Sequence, residues 1–267
     1  MKKKRMFACL LLVLIIGCAA CSSAEQSKQA KNNGQEKENV TITVSAAASL
    51  QDALGEIKKS FEKKYSDVDV TYNFGSSGTL AQQISQGAPV DVFFSAAEDK
   101  FDTLIKDGSI KQENSADLVG NDLVLVVPKE GDAAVQSFEE LPAAQKVAIG
   151  TPESVPAGQY AKETLQHLHI WDKVSEKLIY AKDVRQVLTY VETGNVDAGM
   201  VYKTDALISS KVKIAATAEE KSHAPIIYPA GIIESSKQQK EAALFYQYLQ
   251  SEEAMNIFEK YGFKGLR

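Results

Sequence analysis

Val40–Leu50, VTITVSAAASL, reads as a strand that runs into small residues and then into a helix. Val40 to Ser45 has the extended pattern, and Leu50, Ala53, Leu54, Ile57 and Phe61 recur on one helical face. Working outward, the same change of period repeats. Val68 to Phe74 is the next strand, and Gly78 to Gln86 a short helix. VDVFFSA from Val90 is a buried strand, and Phe101, Leu104 and Ile105 mark another helix. Such alternation predicts a parallel-type sheet with helices on both faces. Two long apolar stretches, LVLVVP (Leu123 to Pro128) and IIYPAGII (Ile226 to Ile233), bracket a second alternating block. That block holds VAIG, a helix from Ala157, LIYA, a helix from Val184, and AGMVY. Glu241 to Tyr261 reads as one helix with Ala243, Phe245, Tyr248 and Leu249 on its apolar side. The chain is expected to leave a first lobe (40–122 plus 230–267), form a second (123–229) and return. That makes two α/β lobes with a cleft between them, where ligands favour the C-terminal ends of strands.

Five strand-to-helix junctions share a chemistry: AAASL ending in Leu50, GSSGTL from Gly75, VPAGQYA from Val155, KDVRQVL from Lys182 and VYKTDA from Val201. Each offers small residues, hydroxyls or bare N–H groups where a helix begins. Helix starts carry unpaired N–H groups and the positive end of the macrodipole, so several of them converging would bind an anion. Lys182 and Arg185 lie in one of the segments and Lys203 in another, and the other three contain no cation. The set therefore points to an ionised anion held by neutral dipoles. Ser49 and Ser77 are placed as helix N-caps, which by itself explains a serine there. Pro156 is suited to a first helical position and is expected to fix its loop rather than touch the ligand.

The chain has 267 residues, 44% of them hydrophobic, enough for a sizeable core and long enough for two domains. Its net charge is −5, and all the charges in the first 17 residues are basic, so the remainder is more acidic still. An acidic body argues against nucleic-acid binding. Residues 1–17 have the pattern of a signal peptide: a basic stretch, Lys2 to Arg5, then an apolar run from Phe7 to Ile16. It ends in LIIGCAAC, which is similar to a bacterial lipobox. Cys18 is the expected lipid anchor, with Cys21 the alternative. All three cysteines, Cys9, Cys18 and Cys21, lie in this leader region, which leaves no disulfide or cysteine metal site for the folded part. Residues 18–39 form the anchor and a tether. Its SSAEQSKQAKNNGQEKEN run has no large apolar residue, and as a random coil its ends would lie roughly 20–25 Å apart.

Taken in order, ITVSAAASL, FGSSGTLAQQI…GAPVDVFFSA, TPESVPAGQYAKE, KDVRQVL, VYKTDA, YPAGII and IFEKYGF resemble the molybdate-binding proteins of molybdate ABC transporters, from about Val40 to Gly265. The resemblance implies a two-lobed periplasmic-binding-protein fold of type II, with mixed sheets flanked by helices. It implies capture of molybdate or tungstate and delivery to a membrane permease. The family's ligand contacts fall on the hydroxyl and amide of Ser49 and of Ser77, the amides of Ala157 and Val184, and the Tyr202 hydroxyl. The metal atom would be reached only through the oxyanion. No cofactor is implied, and the protein is expected to be a monomer held to the membrane by its lipid.

Other readings compete. An enzyme would need a nucleophile–base arrangement, but Ser77 has no G-x-S-x-G elbow. His167 and His169 are two residues apart and would not share a helical face. A receptor for another tetrahedral oxyanion, such as sulfate, stays open. Phosphate keeps a proton near neutral pH and wants an acceptor, which an amide-and-hydroxyl site does not supply; Asp183, beside Val184, is the one carboxylate that could reverse this. Molybdate and tungstate share a shape and are not separated by sequence.

Overall fold

The computed structural model describes residues 39–130 and 135–266. The expected signal peptide, Cys18, Cys21 and nearly all of the tether lie outside the described residues. The first elements are β1 (Val40–Ala47), α1 (Gln51–Lys64), β2 (Val68–Gly75), α2 (Ser77–Ser85), β3 (Val92–Phe94), α3 (Glu98–Lys106) and β4 (Ile110–Gly120). Then come β5 (Leu123–Pro128), β6 (Val147–Gly150), α4 (Pro156–His167), α5 (Trp171–Val174), β7 (Leu178–Ala181), α6 (Val184–Glu192), β8 (Ala198–Tyr202), α7 (Lys203–Leu207) and β9 (Val212–Thr217). Last are β10 (Ile227–Ile233), α8 (Gln239–Leu249), α9 (Glu252–Lys260) and the short β11 (Lys264–Gly265).

Two sheets result, a six-stranded one ordered β11-β4-β10-β3-β1-β2 and a five-stranded one ordered β7-β6-β8-β5-β9. Both are mixed rather than parallel. In the first, β1 runs parallel to β2 and β3, whereas β10 is antiparallel to β3 and β4. In the second, β6 is parallel to β7 and β8, and β5 is antiparallel to β8 and β9. The antiparallel strands are those at which the chain changes sheet. It passes across between Gly120 and Leu123 and comes back between Thr217 and Ile227. β10 begins at Ile227 and lies wholly in the first sheet, ahead of the expected boundary at residue 230.

The helices cover the sheets by their apolar stripes. α1 buries Ala53, Leu54, Ile57 and Phe61, and α6 buries Val184, Val187, Leu188 and Val191 at helical spacing. Phe61 meets Phe245 and Tyr248 edge-on, at 5.0 and 5.4 Å between ring centroids, which ties α1 to α8. A second file of rings runs Phe94, Phe258, Phe263, Tyr228, Tyr202, Tyr160, each 5.4–6.5 Å from the next.

Two elements depart from the sequence reading. The expected C-terminal helix is broken, because Ser251 is extended and its hydroxyl accepts from Ala254 N at 3.3 Å, capping a new helix. On α8 the buried residues are Ala242, Phe245, Tyr248 and Leu249, and Ala243 is only part-buried. β4, IKQENSADLVG, was not anticipated at all. Its middle is polar because that part is half-exposed, and only its ends are buried.

Candidate functional site

Each of the five junctions follows the C-terminal end of a strand: β1, β2, β6, β7 or β8. Together they border one cavity of about 200 Å³, its mouth included, lined by Ser49, Ser77, Ala157, Val184 and Tyr202 among others. No charged side chain is among the described residues that line it. All five residues are buried, Ser77 and Ala157 completely.

The backbone supplies donors by position. Ser77 and Val184 open α2 and α6, and Ala157 is the second residue of α4. Amides in a first turn have no intrahelical carbonyl. Pro156 stands at the first position of α4, where its lack of an N–H costs nothing, and it also lines the cavity. α4 can start here because Gly158 packs on Gly150: a Cβ at Gly158 would lie 2.0 Å from the Gly150 carbonyl oxygen.

Ser49 and Ser77 are not helix caps, contrary to expectation. Ser49 sits inside a 3₁₀ turn, Ala48–Leu50, and the residue capping α2 is Ser76, whose hydroxyl donates to Thr79 Oγ1 at 2.8 Å. Freed from capping, the two hydroxyls have other partners. Ser77 Oγ accepts from Ala96 N at 2.9 Å, which leaves its proton for the cavity. Ser49 Oγ pairs with Tyr228 Oη at 2.9 Å. Tyr202 Oη donates to Ala96 O over a long 3.4 Å, and burial, then the neighbouring Tyr228, hold its phenol well above the usual range. Tyr202 is therefore a neutral donor. Asp183 is engaged elsewhere: it caps α6, Oδ1 accepting from Gln186 N at 2.8 Å, and does not line the cavity.

The nearby cations also turn away. Lys182 is exposed, and Lys203 lies 3.8 Å from Asp122. Arg185 places Nη2 2.5 Å from Asp52 Oδ2 on α1 and Nε 2.7 Å from Asp205 Oδ1 on α7. The second contact lies off the N–H axis, so it is an ion pair rather than an aligned hydrogen bond. Asp205 is completely buried, and that burial pushes its carboxyl up to about 6 against the pull of Arg185 and the Tyr202 backbone. Two further contacts join elements of the two sheets at the cavity: Tyr202 to Ala96, described above, and Gly78 N to Ser154 O at 3.0 Å. A Cβ at Gly78 would stand 2.7 Å from that same oxygen, so only glycine allows the approach. Sequence reasoning missed Asn121, Thr204 and Tyr228. Each is buried and polar, and Asn121 between two strands looks like an ordinary turn residue.

A family model described as bacterial extracellular solute-binding protein matches residues 42–264. YvgL of Bacillus subtilis, provisionally named an ABC transporter substrate-binding lipoprotein, is 56% identical over 262 residues, 98% of each chain. The molybdate-binding protein ModA of Escherichia coli is 43% identical over 228 residues, covering 83% of this chain and 88% of ModA. Among solved structures, the substrate-binding domain of a provisionally assigned molybdenum ABC transporter from Clostridium difficile is 41% identical. It matches with a TM-score of 0.66 over 86% of this chain and 100% of that one.

Proposed function

The chain belongs to the family of bacterial extracellular solute-binding proteins, and from that premise we propose that it captures molybdate, or tungstate, and delivers it to the permease of an ABC transporter. One observation carries the choice of ligand. The cavity is bordered by the hydroxyls and first-turn amides of buried residues, with no charged side chain among the described residues lining it. A fully deprotonated tetrahedral oxyanion offers acceptors only and matches such a set; hydrogen phosphate would bring a proton with no carboxylate to receive it. Ser49, Ser77, Ala157, Val184 and Tyr202 are the proposed ligand residues. Neutral donors stabilise the dianion without the desolvated salt bridges that would slow its release. The protein acts by binding alone, as a monomer, with the lipid on Cys18 keeping it at the outer face of the membrane.

Titration of the tag-free mature protein against molybdate, tungstate, sulfate and phosphate tests this reading. At a hundred-fold excess over Kd, a ligand bound only by the folded state adds about 2.7 kcal/mol of stability. Molybdate and tungstate should therefore raise the melting temperature at micromolar levels. Sulfate, a smaller tetrahedron, should need far more. Equal shifts with sulfate would point to a general oxyanion receptor, and no shift with any of the four removes the binding reading. For the anchor, Cys18→Ser should move the protein from the membrane to the soluble fraction; release by Cys21→Ser instead would relocate the lipid.

A further inference from the structure

Ser49 does not face the cavity alone. Behind it stands a line of buried polar groups at the point where the chain crosses between sheets. Asn121 Oδ1 accepts from Asp122 N at 2.9 Å, which fixes the amide so that its Nδ2 points the other way. That nitrogen has two protons and two acceptors, Thr204 Oγ1 at 2.9 Å and Tyr228 Oη at 3.2 Å. With Asn121 donating to it, Tyr228 Oη has its one proton to place, and Ser49 Oγ stands 2.9 Å away, with the Tyr202 hydroxyl its other neighbour. Where Tyr228 donates to the serine, Ser49 Oγ accepts and its own single proton is left for the cavity it lines. Asn121, Thr204, Tyr228 and Ser49 are all buried. Burial also keeps the Tyr228 phenol far above its usual range, hence protonated.

We propose that Asn121 and Tyr228 are specificity-determining positioning residues, a one-way chain of donors that forces Ser49 to present a proton and so excludes oxyanions that carry one. The proposal rests on the oxyanion-binding reading above. A free serine hydroxyl can rotate to accept, so its discrimination against a protonated ligand would be small. A serine that accepts from Tyr228 turns its own proton on the cavity, so an incoming O–H meets a donor first and competes for the one remaining lone pair. Successive hydrogen bonds in one direction also polarise each other, which strengthens the last donor.

The experiment compares sulfate with phosphate as competitors for bound molybdate, since these tetrahedra are close in size and differ in carrying a proton. Tyr228→Phe removes one oxygen and keeps the ring in its packing. It should weaken molybdate about ten-fold, one hydrogen bond's worth, and lower the phosphate-to-sulfate ratio of inhibition constants by about five-fold or more. Asn121→Asp keeps the shape but replaces the donor with an acceptor, so the tyrosine proton turns toward it and Ser49 donates to Tyr228 instead of the cavity. It should cost more molybdate affinity than Tyr228→Phe, with the ratio again lowered. Melting curves verify that both variants fold; if Asn121→Asp does not, Tyr228→Phe alone decides. A ratio unchanged while molybdate and sulfate weaken in parallel would mean plain structural support and overturn the proposal. Unchanged affinities overturn it too. Failure of the unsubstituted protein to bind any of the three anions would remove the functional reading itself, an outcome visible before either variant is made.

Discussion

Ser77 holds the Ala96 amide on its oxygen and keeps a proton for the cavity, while its own amide begins α2. Two donors thus come from one small residue, and Ser49 offers the same pair from a 3₁₀ turn. Hydrogen bonds to a charged group contribute about 1.5–3 kcal/mol each, so Ser49→Ala, Ser77→Ala and Tyr202→Phe should each weaken molybdate roughly ten- to a hundred-fold by calorimetry. Full affinity in all three would displace the site. These residues were legible because they sit in short motifs at strand ends. Their environment was not: a serine before a helix reads as a cap, but in the fold Ser76 and Leu50 take those places. Asn121 and Tyr228 gave no signal, since a buried asparagine and a core tyrosine declare their roles only through partners 83 and 107 positions from Asn121 in sequence.

Among elements, the start of α4 is the most constrained. Its first turn carries the Ala157 amide and rests on the end of β6 through the Gly150–Gly158 contact. Gly158→Ala would put a methyl carbon into the Gly150 carbonyl and must push the turn outward. An overpacked contact of this kind costs about 1–3 kcal/mol, read as a lower urea midpoint. Because the displaced turn carries the proposed Ala157 donor, molybdate affinity should fall with it, whereas the same change at the open Gly55 of α1 should leave affinity alone. The alternation of strands and helices was plain in the sequence because buried strands and amphipathic helices differ in period. β4 escaped because a half-exposed strand with a polar middle has no such period, and the α8–α9 break because apolar spacing carries across Ser251.

At the scale of the molecule, one buried carboxylate makes stability depend on pH. Asp205 on α7 faces Arg185 of α6 and the Tyr202 backbone, with Asp52 of α1 beyond, and its carboxyl is raised to about 6. The native state then holds the proton more tightly than the unfolded chain, so this group's contribution is fully present below about 4 and is lost as pH rises through 6. Asp205→Asn should abolish that part of the profile: plotted against pH from 4 to 7.5, the stability difference between variant and parent should grow in the variant's favour. A difference flat across that range would show that Asp205 does not titrate there. Among the described residues two passages of chain link the sheets, at Gly120–Leu123 and Thr217–Ile227, and Asn121 lies in the first and bonds to Ile226 O in the second, N to O 3.3 Å. Side-by-side passages of this kind would act as a pin joint, permitting a swing and opposing sliding. Near a pin, displacement is small, and it grows in proportion to radius. An anion seized a few bonds from Asn121 would thus move its captors only slightly, while the outer rims travelled along wide arcs. The molecule would work as a lever, turning the grip on one small ion into a change of outline broad enough for another protein to feel.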